Sequence, residues 1–139
     1  MKKIAVLICI VIALQCTCYA NEPSNEESII LALVWPHVTD AVNTYYSEYL
    51  SGYVYLAPYG DYGRIISITD NINNEDRDYR YTVVVEVLPY IGAHNPVGKD
   101  HVIISIDIAY GVKVWKFQHI ESYEIVHPYQ KERIIKPLP

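Results

Sequence analysis

The stretch Tyr79–Ile108, YRYTVVVEVLPYIGAHNPVGKDHVIISIDI, decides the fold. Its two ends alternate. Tyr81, Val83, Val85 and Val87 recur at every second position of Tyr79–Leu88, and Val102, Ile104, Ile106 and Ile108 do the same in Val102–Ile108. A period of two puts those side chains on one face of a strand, as in a sheet buried on one side. Between them, Tyr90–His101 (YIGAHNPVGKDH) gathers two glycines, a proline, two histidines, an asparagine, a lysine and an aspartate. Two strand patterns joined by a polar, glycine-bearing segment predict an antiparallel pair with a long hairpin loop.

Further strand patterns flank this pair. Arg64–Thr69 lies upstream and Val112–Ile120 downstream, where alternation places Trp115 and Phe117 on one face. Asn71–Asp78 (NINNEDRD) reads as a polar turn, and Gly111 after Tyr110 as a tight reversal. Strands in succession with short links predict a meander. Ahead of them, Ser24 and Glu27 have capping-box spacing, and Leu31, Val34, Val38, Val42, Tyr45 and Tyr49 recur at intervals of three and four. Those residues predict an amphipathic helix from Ser24 to about Leu50. Pro36 predicts a kink or break at Trp35, because its ring cannot donate to the carbonyl four residues back. Gly52 is a natural terminator, and Tyr53–Gly63 reads as a connection. The predicted fold class is α+β: an N-terminal helix, kinked near Pro36, packed on a four-stranded antiparallel meander. Residues 21–126 form the expected domain and 127–139, with three prolines, an extended tail.

Residues 1–20 read as a signal peptide. Lys2 and Lys3 precede an apolar run from Ile4 to Leu14, and a cleavage region ends at Ala20. Such a run is too short to span a bilayer, which takes about 20 residues. The expected location is secreted or envelope-associated. Lipid attachment at Cys16 or Cys18 is the alternative, although neither cysteine has the upstream leucine and small residue of a lipoprotein signal. All three cysteines fall in this segment, leaving a chain without disulfide or thiol chemistry. Beyond Ala20, nine basic residues face 16 acidic ones, a net charge of about −7 with histidines neutral. That balance, with no basic cluster, disfavours nucleic acid and anionic lipid surfaces as partners, and no nucleic acid is expected.

The Tyr90–His101 loop admits three roles. Structurally, Gly92 and Gly98 supply unusual backbone angles, Asn95 satisfies turn amides and Pro96 fixes the chain direction. As a binding tip, it presents His94, Asn95 and Lys99. As a metal site, it offers His94, Asp100 and His101, with His119 drawn in from the following strand. Tyrosine is the second unusual feature: 13 of the 14 lie beyond residue 20, against one phenylalanine. Tyr53, Tyr55, Tyr59 and Tyr62 are either a stacking platform for a glycan or peptide or the half-exposed rim of a small core. No nucleophile adjoins a base in sequence; Glu86 and His119 are isolated acid–base candidates on strands. No cofactor is expected.

The segments LVWPHV and NTYYSEYL, then GAHNPVGKD and KFQHIESYE, resemble an uncharacterised family of small secreted domains from spore-forming Gram-positive bacteria. The resemblance spans about Ser28 to Tyr123. It implies secretion and a domain boundary, and it assigns no activity or site residue. The element order is also similar to cystatin-like and NTF2-like folds, in which a curved sheet wraps a helix, but the QxVxG hairpin of inhibitory cystatins is missing. The expected function is a secreted, non-enzymatic binding or envelope-associated module meeting a peptide, glycan or protein. The alternatives are a small metal-assisted or acid–base enzyme centred on residues 92–101, and a protease inhibitor.

Overall fold

A computed structural model describes residues 23–72 and 79–139. The expected signal segment and most of the Asn71–Asp78 turn lie outside the described residues. Helix α1 (Asn25–Tyr46) opens with the capping box predicted from sequence: Glu27 donates its N–H to Ser24 Oγ, and the Ser24 N–H donates to Glu27 Oε2, both at 3.2 Å. Four strands follow as one antiparallel sheet: β1 (Gly63–Asp70), β2 (Tyr81–Val87), β5 (Gly98–Asp107) and β6 (Gly111–Ser122), adjacent in that order. A small hairpin, β3 (Tyr90–Ile91) with β4 (Asn95–Pro96), fills the connection between β2 and β5. The fold is α+β, with a helix followed by a meander, as the sequence predicts.

One face of the sheet meets α1. Leu31, Val34, Val38, Val42 and Tyr46 pack on Val83, Val85, Val87, Val102 and Ile104, all buried. Burying a valine or leucine contributes roughly 1.5–3 kcal/mol, so this single layer is the main source of stability in a core without cysteine. Tyr46 enters the core, whereas the expected Tyr45 is half-buried. The helix also runs through Pro36 without a break and ends at Tyr46 rather than near Leu50. Pro36 and Ala32, whose carbonyl loses its donor, both lie on the exposed side, where water can take the missing bond.

Two departures from the sequence reading place the candidate side chains. First, β5 begins at Gly98, so Lys99, Asp100 and His101 belong to a strand and not to a loop. Second, β6 carries bulges opposite Lys99/Asp100 and Ile103/Ile104. A bulge inserts an extra residue and resets the alternation. Trp115 and Phe117 therefore part company: Phe117 packs on Tyr45, with ring centroids 4.7 Å apart, and Trp115 is 54% exposed beside Tyr79.

The C-terminal tail contains a short helical turn, α2 (Pro128–Lys131), in place of the extended chain expected there. Beyond it, the Arg133 guanidinium donates to the carbonyls of Ser51 and Tyr53 at 2.8 and 2.7 Å, and Leu50 bridges Ile134. No helix among the described residues is long and apolar enough to cross a membrane.

Candidate functional site

The clearest surface feature is a set of stacked rings at one end of the sheet. Tyr55 and Tyr90 exchange two backbone hydrogen bonds, at 2.8 and 3.0 Å, which fastens the Tyr53–Gly63 connection to β3. Their rings lie 5.9 Å apart. Tyr62, in the 3-10 turn Gly60–Tyr62, accepts the Leu88 N–H on its carbonyl and sets its ring edge-on to Tyr90 at 5.5 Å. His94 completes the group, stacked on Tyr90 at 4.8 Å and 5.5 Å from Tyr62. Tyr90 is thus the hub of a four-ring platform, and Tyr55 and His94 are its exposed members.

The backbone beneath the platform is constrained. His94 has φ +58°, the one described residue other than glycine with positive φ, and Gly92 has φ +59°. A side chain in that region costs about 1–2 kcal/mol, which the turn between β3 and β4 and the stack on Tyr90 must offset. Gly92 has a second constraint. A β-carbon there would lie 2.5 Å from Gln130 Nε2, the group that donates to the Ile91 carbonyl and ties α2 to the hairpin.

The remaining candidates are spread apart. Tyr53 and Tyr59 are exposed and share in no ring contact among the described residues. Asn95 is exposed in β4, opposite Ile91. Lys99 is not part of the hairpin tip: it lies on β5 opposite Glu121, which separates it from His94 and Asn95. The proposed metal ligands do not converge. His94 belongs to the ring platform, whereas Asp100 and His101 are consecutive in a strand and so point to opposite faces. Among the described residues, no group of three or more His, Cys, Asp or Glu side chains is arranged to hold a metal ion.

On the open face, His101 Nε2 lies 3.1 Å from Glu86 Oε2, and the Arg64 guanidinium donates to Glu86 Oε1 at 2.7 Å. Partial burial pushes the Glu86 carboxyl up, but His101 and Arg64 outweigh it and hold it below the usual range. On the helix face, Asp100 is fully buried. His119 Nδ1 lies 2.7 Å from Asp100 Oδ1, and His119 Nε2 lies 2.8 Å from Ser122 Oγ. The Tyr45 ring stacks over His119 at 5.2 Å. Burial pushes Asp100 up to about 6, against the lowering pull of His119. Tyr46 is close enough for the Asp100 charge to add to the burial that raises its phenol. Even so, Tyr46 Oη and Asp100 Oδ2 both lack hydrogen-bonding geometry with any described group.

Among known families, one model matches residues 26–121, from the first turn of α1 to the end of β6. The chain belongs to the DUF3888 family. Its members are described as proteins of unknown function. Neither the curated proteins nor the solved structures compared with it contain a match. The match to the DUF3888 domain spans Tyr55, Tyr62, Tyr90 and His94 as well as Asp100 and His119, and stops one residue before Ser122. Sequence reading missed Tyr90 and Ser122. Tyr90 and His94 are four apart across a glycine-containing turn, which was the available signal; for Ser122, the bulge at Ile120 concealed its alignment with His119.

Proposed function

We propose that this DUF3888 protein is a secreted or envelope-associated binding module, without catalysis at this site, that takes a sugar ring of an extracellular glycan on the Tyr55–Tyr62–Tyr90–His94 platform. The observation that carries the reading is the stack itself, in which three rings, two from the Tyr53–Gly63 connection and one from the β3–β4 hairpin, meet on Tyr90 at 4.8–5.9 Å. Aromatic faces pack against the C–H face of a pyranose, and the phenol hydroxyls and imidazole hydrogen-bond its rim. The acidic chain suits a neutral ligand better than a phosphate or an anionic lipid. The strained backbone at His94 supports a binding role, since such strain concentrates where a side chain is held for a partner.

Each ring contact contributes about 0.5–1.5 kcal/mol. Two or three such contacts with hydrogen bonds correspond to dissociation constants of roughly 0.1–1 mM. Calorimetric titration of the protein with β-linked N-acetylhexosamine oligomers tests this: saturable binding is expected, weakened about tenfold or more by Tyr90→Ala. Equal binding by the variant, or binding of aromatic peptides with no response to the sugars, contradicts the glycan reading.

A further inference from the structure

We propose that Ser122, His119 and Asp100 form a second, hydrolytic site that cleaves small carboxylic esters, separate from the ring platform. Three groups of the required types stand in order. His119 bridges Asp100 Oδ1 at 2.7 Å through Nδ1 and Ser122 Oγ at 2.8 Å through Nε2. With the Nδ1 proton directed to the carboxylate, Nε2 is left as an acceptor for the serine proton, which is the arrangement an activated hydroxyl needs. The β6 bulge makes the alignment possible. Residues 119 and 122 of a regular strand would face opposite ways, and the extra residue at Ile120 turns both to the same side. Gly98, paired with Ser122, leaves room for the assembly: a β-carbon there would collide with Tyr46 Oη and lie 3.0 Å from the His119 ring.

Access and charge stabilisation come from the sheet edge. β6 is the last strand, and Ser122 its last residue. Tyr123 donates its N–H to the Val97 carbonyl at 2.9 Å. Because bonded and non-bonded pairs alternate in an antiparallel ladder, Ser122 directs its own N–H away from β5, where it can donate to a developing oxyanion. The nearest cleft in sequence, of about 240 Å³, is lined by Val97, Tyr123, Ile125, Asn95 and Pro96 and not by Ser122 or His119, so the ester approaches from the open edge of β6.

In the reaction, Ser122 Oγ bonds to the ester carbonyl carbon while its proton passes to His119 Nε2. The bond from carbon to the alkoxy oxygen then breaks, and the alcohol leaves with the proton from His119. Water, deprotonated by His119, attacks the acyl-serine and releases the carboxylic acid, restoring Ser122. Asp100 touches no substrate; it is a positioning residue for the imidazole.

The test treats the purified protein with a fluorophosphonate probe and, separately, with p-nitrophenyl acetate, followed by peptide mass spectrometry. The proposal expects covalent modification at Ser122 and ester hydrolysis that falls at least 100-fold in Ser122→Ala and in His119→Gln. Circular dichroism and the thermal midpoint of Ser122→Ala provide the folding control, since that half-exposed side chain can be truncated without opening the core. Modification elsewhere, no modification of the folded parent, or undiminished hydrolysis by folded Ser122→Ala overturns the proposal and leaves the three residues as a structural brace.

Discussion

At the scale of single residues, burial and charge shift two carboxylates of the sheet, Asp100 and Glu86, in opposite directions. Asp100 is raised from an ordinary value of 3.8 to about 6, so between about pH 4 and pH 6 the folded protein holds a proton there that the unfolded chain has released. Stability through this group is therefore greatest below about pH 4 and falls as pH rises towards 6. Glu86 is held low by His101 and Arg64, so its contribution is present above the ordinary carboxylate range and is lost as pH falls through its folded value. Urea midpoints should show the parent losing stability relative to Asp100→Asn between pH 4 and pH 6, and Glu86→Gln showing the opposite trend at acid pH. A parallel pair of curves for Asp100→Asn contradicts the buried-carboxyl account. His94 supplies a second residue-scale test. Replacement by glycine relieves the positive φ but gives up the stack on Tyr90, two effects of about 1 kcal/mol and opposite sign. The thermal midpoint of His94→Gly should stay within a few degrees of the parent, while sugar binding weakens severalfold.

At the scale of elements, the sequence was most legible where one period ran without interruption. Ser24 and Glu27 announced the start of α1, and the alternating valines of β2 gave its buried face correctly. Legibility failed where a local device reset the period. The bulges of β6 turned Trp115 outward and brought Ser122 beside His119, and neither event leaves a mark in composition. Polar residues misled in the same way at Lys99–His101, which read as loop because a strand between two neighbours can hide a charged side chain in an ion pair. Pro36 predicted a break that the helix avoids by keeping its unpaired carbonyl on the wet side. Pro36→Ala restores that hydrogen bond and should stabilise the protein by about 1–2 kcal/mol in chemical denaturation; a loss of stability indicates that the proline ring itself packs against Trp35. Gly92→Ala should cost at least about 1 kcal/mol, because it combines a left-handed backbone angle with a clash against Gln130.

At the scale of the whole molecule, one helix and one sheet produce two unlike regions. Between them, the Tyr53–Gly63 connection, the β3–β4 hairpin and the C-terminal tail gather at one end, tied by the Tyr55–Tyr90 bridge and by Gln130 on the Ile91 carbonyl. The two stretches singled out separately in the sequence, the tyrosine-rich connection and the glycine-histidine loop, thereby become a single surface. The composition showed both and could not show their meeting, since the pairing joins residues 35 positions apart through backbone atoms. The central claim is that this joint surface receives a sugar ring. The most direct measurement is the nuclear magnetic resonance spectrum of the aromatic side chains during titration with β-linked N-acetylhexosamine oligomers. Saturable shifts of Tyr55, Tyr62, Tyr90 and His94, lost together in Tyr90→Ala, are the predicted result; shifts confined to other residues, or none at millimolar sugar, contradict it.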